Sequence, residues 1–146
     1  MRELKLDPTS ADQELKDALS AALLPTDDID DPGRSYFRLR NAENKVIGYS
    51  GTEMWPNNAV LLRSMVILPA FRSRGYGRRL TEMTIARTPP ASDIYLVTTT
   101  AASFFQSMGF TEVSRDQVPH AILSSRQMSG LCPVSATIMK RNRPAT

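Results

Sequence analysis

Cysteine and histidine are almost missing from this chain, with Cys132 and His120 each standing alone among 146 residues. A single thiol closes no internal disulfide, and one thiol with one imidazole falls short of a structural zinc set. Disulfide-stapled and metal-dependent classes are therefore set aside, and no metal ligand is assigned. Nothing in the sequence brings Cys132 and His120 together as a nucleophile and base, and a lone cysteine beside Pro133 reads as a small packing residue. Long apolar runs are also lacking: none approaches the roughly 20 residues that span a bilayer. MRELKLDP at the start carries no apolar signal segment. The expectation is a cytoplasmic protein with no membrane partner. Charge of one sign is scarce as well, since 18 Lys and Arg against 15 Asp and Glu leave only +3. An anionic ligand, if there is one, must meet a local excess of positive charge.

What is present suffices for one core. With 41% hydrophobic residues over this length, residues 1–146 are expected to form a single domain. Ser10 and Gln13 read as a capping box for a helix over 11–23, with Leu15, Ala18, Leu19, Ala22 and Leu23 on one stripe. The acidic, proline-containing segment 24–33 reads as an exposed loop near a substrate entrance. Three strand-like runs at 35–41, 45–55 and 59–68, separated by turn residues, predict an antiparallel meander. A helix opening at Tyr76 and ending before Pro89, then a strand at 93–99, complete a βαβ unit. A helix at 101–108, a strand at 110–115, a short helix near VPHAILSSRQM and a last strand at 134–140 follow. The fold class is α+β with a mixed central sheet.

The local charge lies in PAFRSRGYGRRL, residues 69–80, between a strand and a helix. Free N–H groups and a partial positive charge make a helix start a place for an anion. Gly75 and Gly77 let backbone approach, while Arg72, Arg74, Arg78 and Arg79 ring the same turn. The guest this suits is a pyrophosphate. Dinucleotide and ATP loops do not fit, because position 80 is Leu where a third glycine would stand and no Gly-Lys-Ser/Thr is present. Nucleic acid is disfavoured too, since only Phe71 and Tyr76 offer rings among the arginines.

Strand, proline, RSRGYG and helix together resemble the Arg/Gln-x-x-Gly-x-Gly/Ala signature of the GNAT acetyltransferases, whose loop holds the pyrophosphate of coenzyme A. IYLVTTTAASFFQSMGF is similar to the family's later strand and helix, ending at Gly109 and Phe110. The resemblance implies acetyl-CoA as cosubstrate, and a mostly antiparallel sheet between helix layers, splayed where the pantetheine arm inserts between two middle strands. By the same resemblance Met65, Val66 and Ile67 meet the arm, and Arg72, Ser73, Arg74, Gly75, Tyr76, Gly77 and Arg78 hold the diphosphate. Thr98 stands where the family often has an asparagine that touches the arm. Phe105 occupies the place of the family's frequent tyrosine acid and cannot donate a proton, so water, Thr98, Ser103 or the substrate ammonium must. The C-terminal stretch resembles the small GNAT proteins associated with bacterial arsenic resistance, which implies detoxification of an arsenic-containing amino acid or related analogue.

Acetyl transfer to an amine needs a base, donors for a developing oxyanion and a proton for the thiolate. Glu53, among apolar neighbours, is the candidate base; its alternative is an ion pair with Arg63. Arg63 alternates with Leu61, Met65 and Ile67, which predicts a cleft-facing guanidinium for a substrate carboxylate. Tyr36, Tyr49, Met54 and Trp55 are candidates for an acceptor pocket. The acceptor is expected to be a small amino-acid-like amine. A protein or peptide amine, or a sensor that binds acetyl-CoA without turnover, stays open, as do a homodimer and whether the last strand completes its own sheet or a neighbour's.

Overall fold

Alternating strand formers set between turn residues account for the first half of the chain. A computed structural model describes residues 3–24, 26, 29–30, 33–124 and 136–141; Cys132 lies outside them. Strands β2 (Arg34–Arg40), β3 (Val46–Trp55) and β4 (Ala59–Ile67) form the expected antiparallel meander. Asn41 closes the first turn, its Oδ1 accepting from the N–H groups of Glu43 at 3.0 Å and Lys45 at 2.9 Å. An additional edge strand, β1 (Lys5–Thr9), pairs with β2. Only Leu6 of it is buried, and Pro8, which cannot donate to a ladder, sits where one side of the strand is free.

After β4 the chain passes through helix α2 (Tyr76–Ile85) to β5 (Asp93–Thr98), which runs parallel to β4. Helix α3 (Ala102–Gln106), strand β6 (Phe110–Glu112) and helix α4 (His120–Leu123) lead to β7 (Thr137–Arg141). Strand β7 inserts between β5 and β6, antiparallel to both, giving the order β1-β2-β3-β4-β5-β7-β6. The last strand thus completes the sheet of its own chain.

Two helix layers cover this sheet. On one face Leu80 of α2 packs with Leu6, Phe37, Leu39 and Ile47, and Phe105 and Ala102 of α3 pack with Leu62, Ile94, Leu96 and Phe110. Helix α1 (Gln13–Ala21) covers the other face, with Leu15 and Leu19 fully buried against Tyr36, Tyr49 and Val66, while Ile122 of α4 packs on Leu61 and Tyr95. Each of those leucines contributes about 1.5–3 kcal/mol through the apolar area it removes from water. The cap of α1 is Asp12 rather than Ser10: its Oδ1 accepts from Leu15 N at 2.9 Å, two residues later than the sequence pattern suggested. Half of the acidic segment 24–33 lies outside the described residues; within it Ile29 is buried in the α1 core and Asp30 pairs with Lys16 at 3.1 Å.

One irregularity governs the site. Opposite β3, the register of β4 slips between Tyr49↔Val66 and Gly51↔Arg63, so β4 carries one extra residue there. Ser64 takes it up with φ +56, a left-handed value that costs a non-glycine residue energy. Gly48 lets the two strands close beyond the slip, because a Cβ there would lie 2.3 Å from the carbonyl oxygen of Val66. Ser50, opposite the slip, anchors α2 instead, its Oγ lying 2.7 Å from Thr84 Oγ1.

Candidate active site

Strands β4 and β5 are paired only at Ala59↔Asp93, Val60↔Ile94 and Leu61↔Tyr95, and then part. Between them opens a cleft of about 590 Å³. Its walls are Leu62 to Ile67 on one side and Leu96 to Ala101 on the other, with Gly77 and Leu80 of α2 and Phe104 and Phe105 of α3 at one mouth. Leu23 and Leu24, just after α1, line the opposite mouth, so the cleft passes through the sheet. The peptide groups of Met65 and Ile67 face into it. Leu68 N donates to Ile47 O at 2.8 Å, which turns Leu68 and Val66 toward β3 and, by alternation, Ile67 and Met65 away.

At the α2 mouth the chain builds a cradle. A short turn at Pro69–Phe71 leads to two left-handed residues, Ser73 at φ +64 and Gly75 at φ +82, before α2 begins. Alternation of this kind points successive N–H groups into one concavity. No side chain caps α2, and the first helical N–H to find a carbonyl is that of Arg79, 3.5 Å from Gly75 O. The N–H groups of Tyr76, Gly77 and Arg78 are therefore those a helix start leaves free. Space above Gly75 is open, nothing lying within 4 Å of a Cβ built there. Arg72 shapes the turn by donating from Nε to Ile67 O at 2.9 Å, and Tyr76 packs edge-on to Phe71 with centroids 6.3 Å apart. Ser73 and Arg74 are exposed, and Arg78 Nη2 lies 3.3 Å from Ser107 O, bridging α2 to the turn after α3. Open amides, guanidiniums and a long adjoining cleft fit the diphosphate and arm of a coenzyme A.

Within the cleft, Thr98 Oγ1 accepts from Ala101 N at 2.9 Å, so its own O–H remains available to donate. Phe105 forms part of the wall and stacks edge-on with Phe110 at 5.7 Å. Arg63 does not share a face with Met65 and Ile67. The extra residue at Ser64 reverses the alternation, which puts Arg63 on the α1 side with Glu53 and Leu61. Its guanidinium is buried and bonds Glu53 Oε1 through Nη1 at 3.1 Å, while Arg34 Nη2 reaches Glu53 Oε2 at 3.3 Å. Glu53 thus meets the ion-pair alternative, and a carboxylate held between two guanidiniums favours its ionised form and a fixed position. Met54 is exposed, whereas Tyr36, Tyr49 and Trp55 pack in the core instead of lining the cleft. Burial raises the Tyr49 phenol, with Glu14 and Asp12 adding to the rise and Arg38 opposing it, so it keeps its proton at neutral pH. His120 lies on α4, away from the cleft walls.

Glu53→Gln leaves two buried guanidiniums short of a counter-charge, which costs about 3–5 kcal/mol. The expected reading is a Tm lower by roughly 10 °C and a pH–rate profile of unchanged shape. A stable variant whose profile loses its acid limb returns Glu53 to the role of base. Sequence reasoning missed Arg34, Ser64 and the Leu23–Leu24 mouth. The polar pair Arg63–Ser64 inside the apolar run AVLLRSMVIL was the available signal of a break.

A family model described as an acetyltransferase (GNAT) domain matches residues 32–112, more than half of the chain. No curated protein matches it. Among solved structures, N-acetylglutamate synthase of Neisseria gonorrhoeae, complexed with coenzyme A and N-acetyl-glutamate, superposes with a TM-score of 0.73 at 15% identity over 95% of this chain and 35% of that one. The chain thus spans about a third of the synthase. Escherichia coli ElaA gives 0.67 at 17% identity, covering 97% of this chain and all of that one. A mutant of the Vibrio cholerae spermidine N-acetyltransferase SpeG gives 0.64 at 13% identity, over 94% and 92% of the two chains. At these identities the likeness is one of fold.

Proposed function

The chain belongs to the GNAT acetyltransferases, a family whose cosubstrate is acetyl-CoA, and from that premise we propose that it acetylates the primary amine of a small amino-acid-like molecule. The observation that carries this reading is the union of a cradle of free amides with a cleft that crosses the sheet and opens at a second, apolar mouth. Arg72, Ser73, Arg74, Gly75, Tyr76, Gly77 and Arg78 would hold the diphosphate. Met65, Val66 and Ile67 would hold the arm against Phe105. Bound acetyl-CoA supplies an activated acetyl group. The chain contributes placement: an amine entering past Leu23 and Leu24 is directed at the cleft centre, where entropy already spent on binding lowers the barrier. Thr98 Oγ1–H is the donor for the departing sulfur that Phe105 cannot be. An arginine fork for the acceptor's carboxylate at Arg63 would have to displace Glu53, so acceptor recognition is assigned to the Leu23–Leu24 mouth.

An arsenic-containing amino acid is the finer reading, supported by the likeness of the C-terminal segment to arsenic-associated GNAT proteins; most of that segment falls outside the described residues. Thiol release from acetyl-CoA with amino acids, an arsenic-bearing amino acid, spermidine and short peptides tests the whole. Turnover concentrated on amino acids supports the proposal. Preference for peptides moves the acceptor to protein amines, and coenzyme binding with no turnover of any amine makes the chain a sensor.

A further inference from the structure

The buried ion pairs lead somewhere. From Arg34 through Glu53 to Arg63 the contacts run at 3.3 and 3.1 Å, and Arg63 Nε then points at Ser64 Oγ at 3.5 Å. Ser64 is the extra residue of β4, half-buried, on the cleft wall, and strained at φ +56. A left-handed serine persists only where its surroundings hold it, and such strain gathers at working positions.

We infer that Ser64 is a hydrogen-bond donor to the thioester carbonyl oxygen, with Arg63 and Glu53 as positioning residues behind it. This rests on the acetyl-transfer reading above. The Arg63 N–H occupies an acceptor site of Ser64 Oγ, so the serine O–H is left to donate, and a cation behind a hydroxyl makes it the stronger donor. Ser64 stands on β4 and Thr98 on β5, the two strands that part to form the cleft. One hydroxyl therefore faces the acetyl group from each wall. As the amine nitrogen bonds to the carbonyl carbon and the C–S bond breaks with its electron pair on sulfur, negative charge gathers briefly on the carbonyl oxygen. Ser64 keeps its own proton throughout and stabilises that charge; Thr98 Oγ1 gives its proton to the departing sulfur and regains one from the amine's surplus, so the net transfer is from ammonium to thiolate. The backbone slip also explains why alternation could not show this, since it turns Ser64 out of the ladder that an unbroken strand would keep it in.

Ser64→Gly is the variant to make, because glycine adopts this φ without strain and the fold is not put at risk. The reporter is acetyl-CoA labelled with ¹³C at the carbonyl, observed by NMR on the full chain. On the native chain the bound carbonyl resonance moves downfield from its free position. In Ser64→Gly that displacement is lost, and Ser64→Asn, which tolerates φ > 0 and carries an N–H donor, restores part of it. With the best amine of the panel, kcat falls about 100-fold in Ser64→Gly while coenzyme affinity changes by less than about twofold. An unchanged resonance and unchanged kcat in Ser64→Gly overturn the assignment. The resonance is read without turnover, so a chain that acetylates no amine refutes the proposed function while the spectrum still judges Ser64 by itself.

Discussion

Gly75→Asp is expected to weaken coenzyme A binding by roughly 100-fold or more while the fold survives, because like charges brought together at a binding surface cost several kcal/mol. In the free chain the new side chain meets nothing, since no atom lies within 4 Å of a Cβ at this position. The left-handed φ of +82 costs an aspartate about 1 kcal/mol, and aspartate is among the residues that tolerate it. Tm should therefore fall by only about 2–4 °C. In the cradle, however, the carboxylate stands beside the free N–H groups of Tyr76 and Gly77, where it both repels a diphosphate and satisfies the helix start in its place. Gly75→Asn separates charge from bulk: it should lose far less affinity than the aspartate. Equal losses in the two variants would make volume, not charge, the cause.

Gly48→Ala is expected to destabilise the chain through a backbone clash. A methyl group there lies 2.3 Å from Val66 O and 3.2 Å from the Ile67 Cα, both backbone atoms of β4 that no rotamer change can move. The pairing of β3 with β4 must loosen, at about 2–3 kcal/mol for overpacking of this kind, and Tm should drop by about 4–12 °C. Coenzyme affinity should fall with it, because Val66 and Ile67 are also cleft wall. A variant as stable as the native chain would show that the strands do not approach this closely beyond the slip.

Much of this was legible in the sequence. Alternation and turn residues in 34–67 gave the meander, and the arginine–glycine turn between a strand and a helix marked the cradle, since both are local patterns. The departures share a cause. Strict alternation assumes an unbroken ladder, so the extra residue at Ser64 placed Arg63 on the wrong face and concealed the path from Glu53 to the cleft. Leu6 is the single buried residue of β1, too little pattern to announce a strand. Ser10 and Asp12 are comparable caps, and only the geometry of the first turn chose Asp12. Ile29, one apolar residue among acids, is buried in the α1 core, which its acidic neighbours did not announce. Phe105 was correctly read as unable to donate; what could replace it depended on which hydroxyls the splay brings together, a tertiary fact.

The central claim is that main-chain N–H groups between Pro69 and Arg78 receive the diphosphate of coenzyme A. Titrating the ¹⁵N-labelled chain with coenzyme A and following its amide resonances addresses this at the atoms concerned. The N–H signals of Gly75, Tyr76, Gly77 and Arg78 should shift together and saturate, with Met65 and Ile67 following along the cleft. If these six remain still while coenzyme A is added to excess, or if the shifts saturate at another part of the surface, the cradle does not hold the coenzyme and the account is wrong.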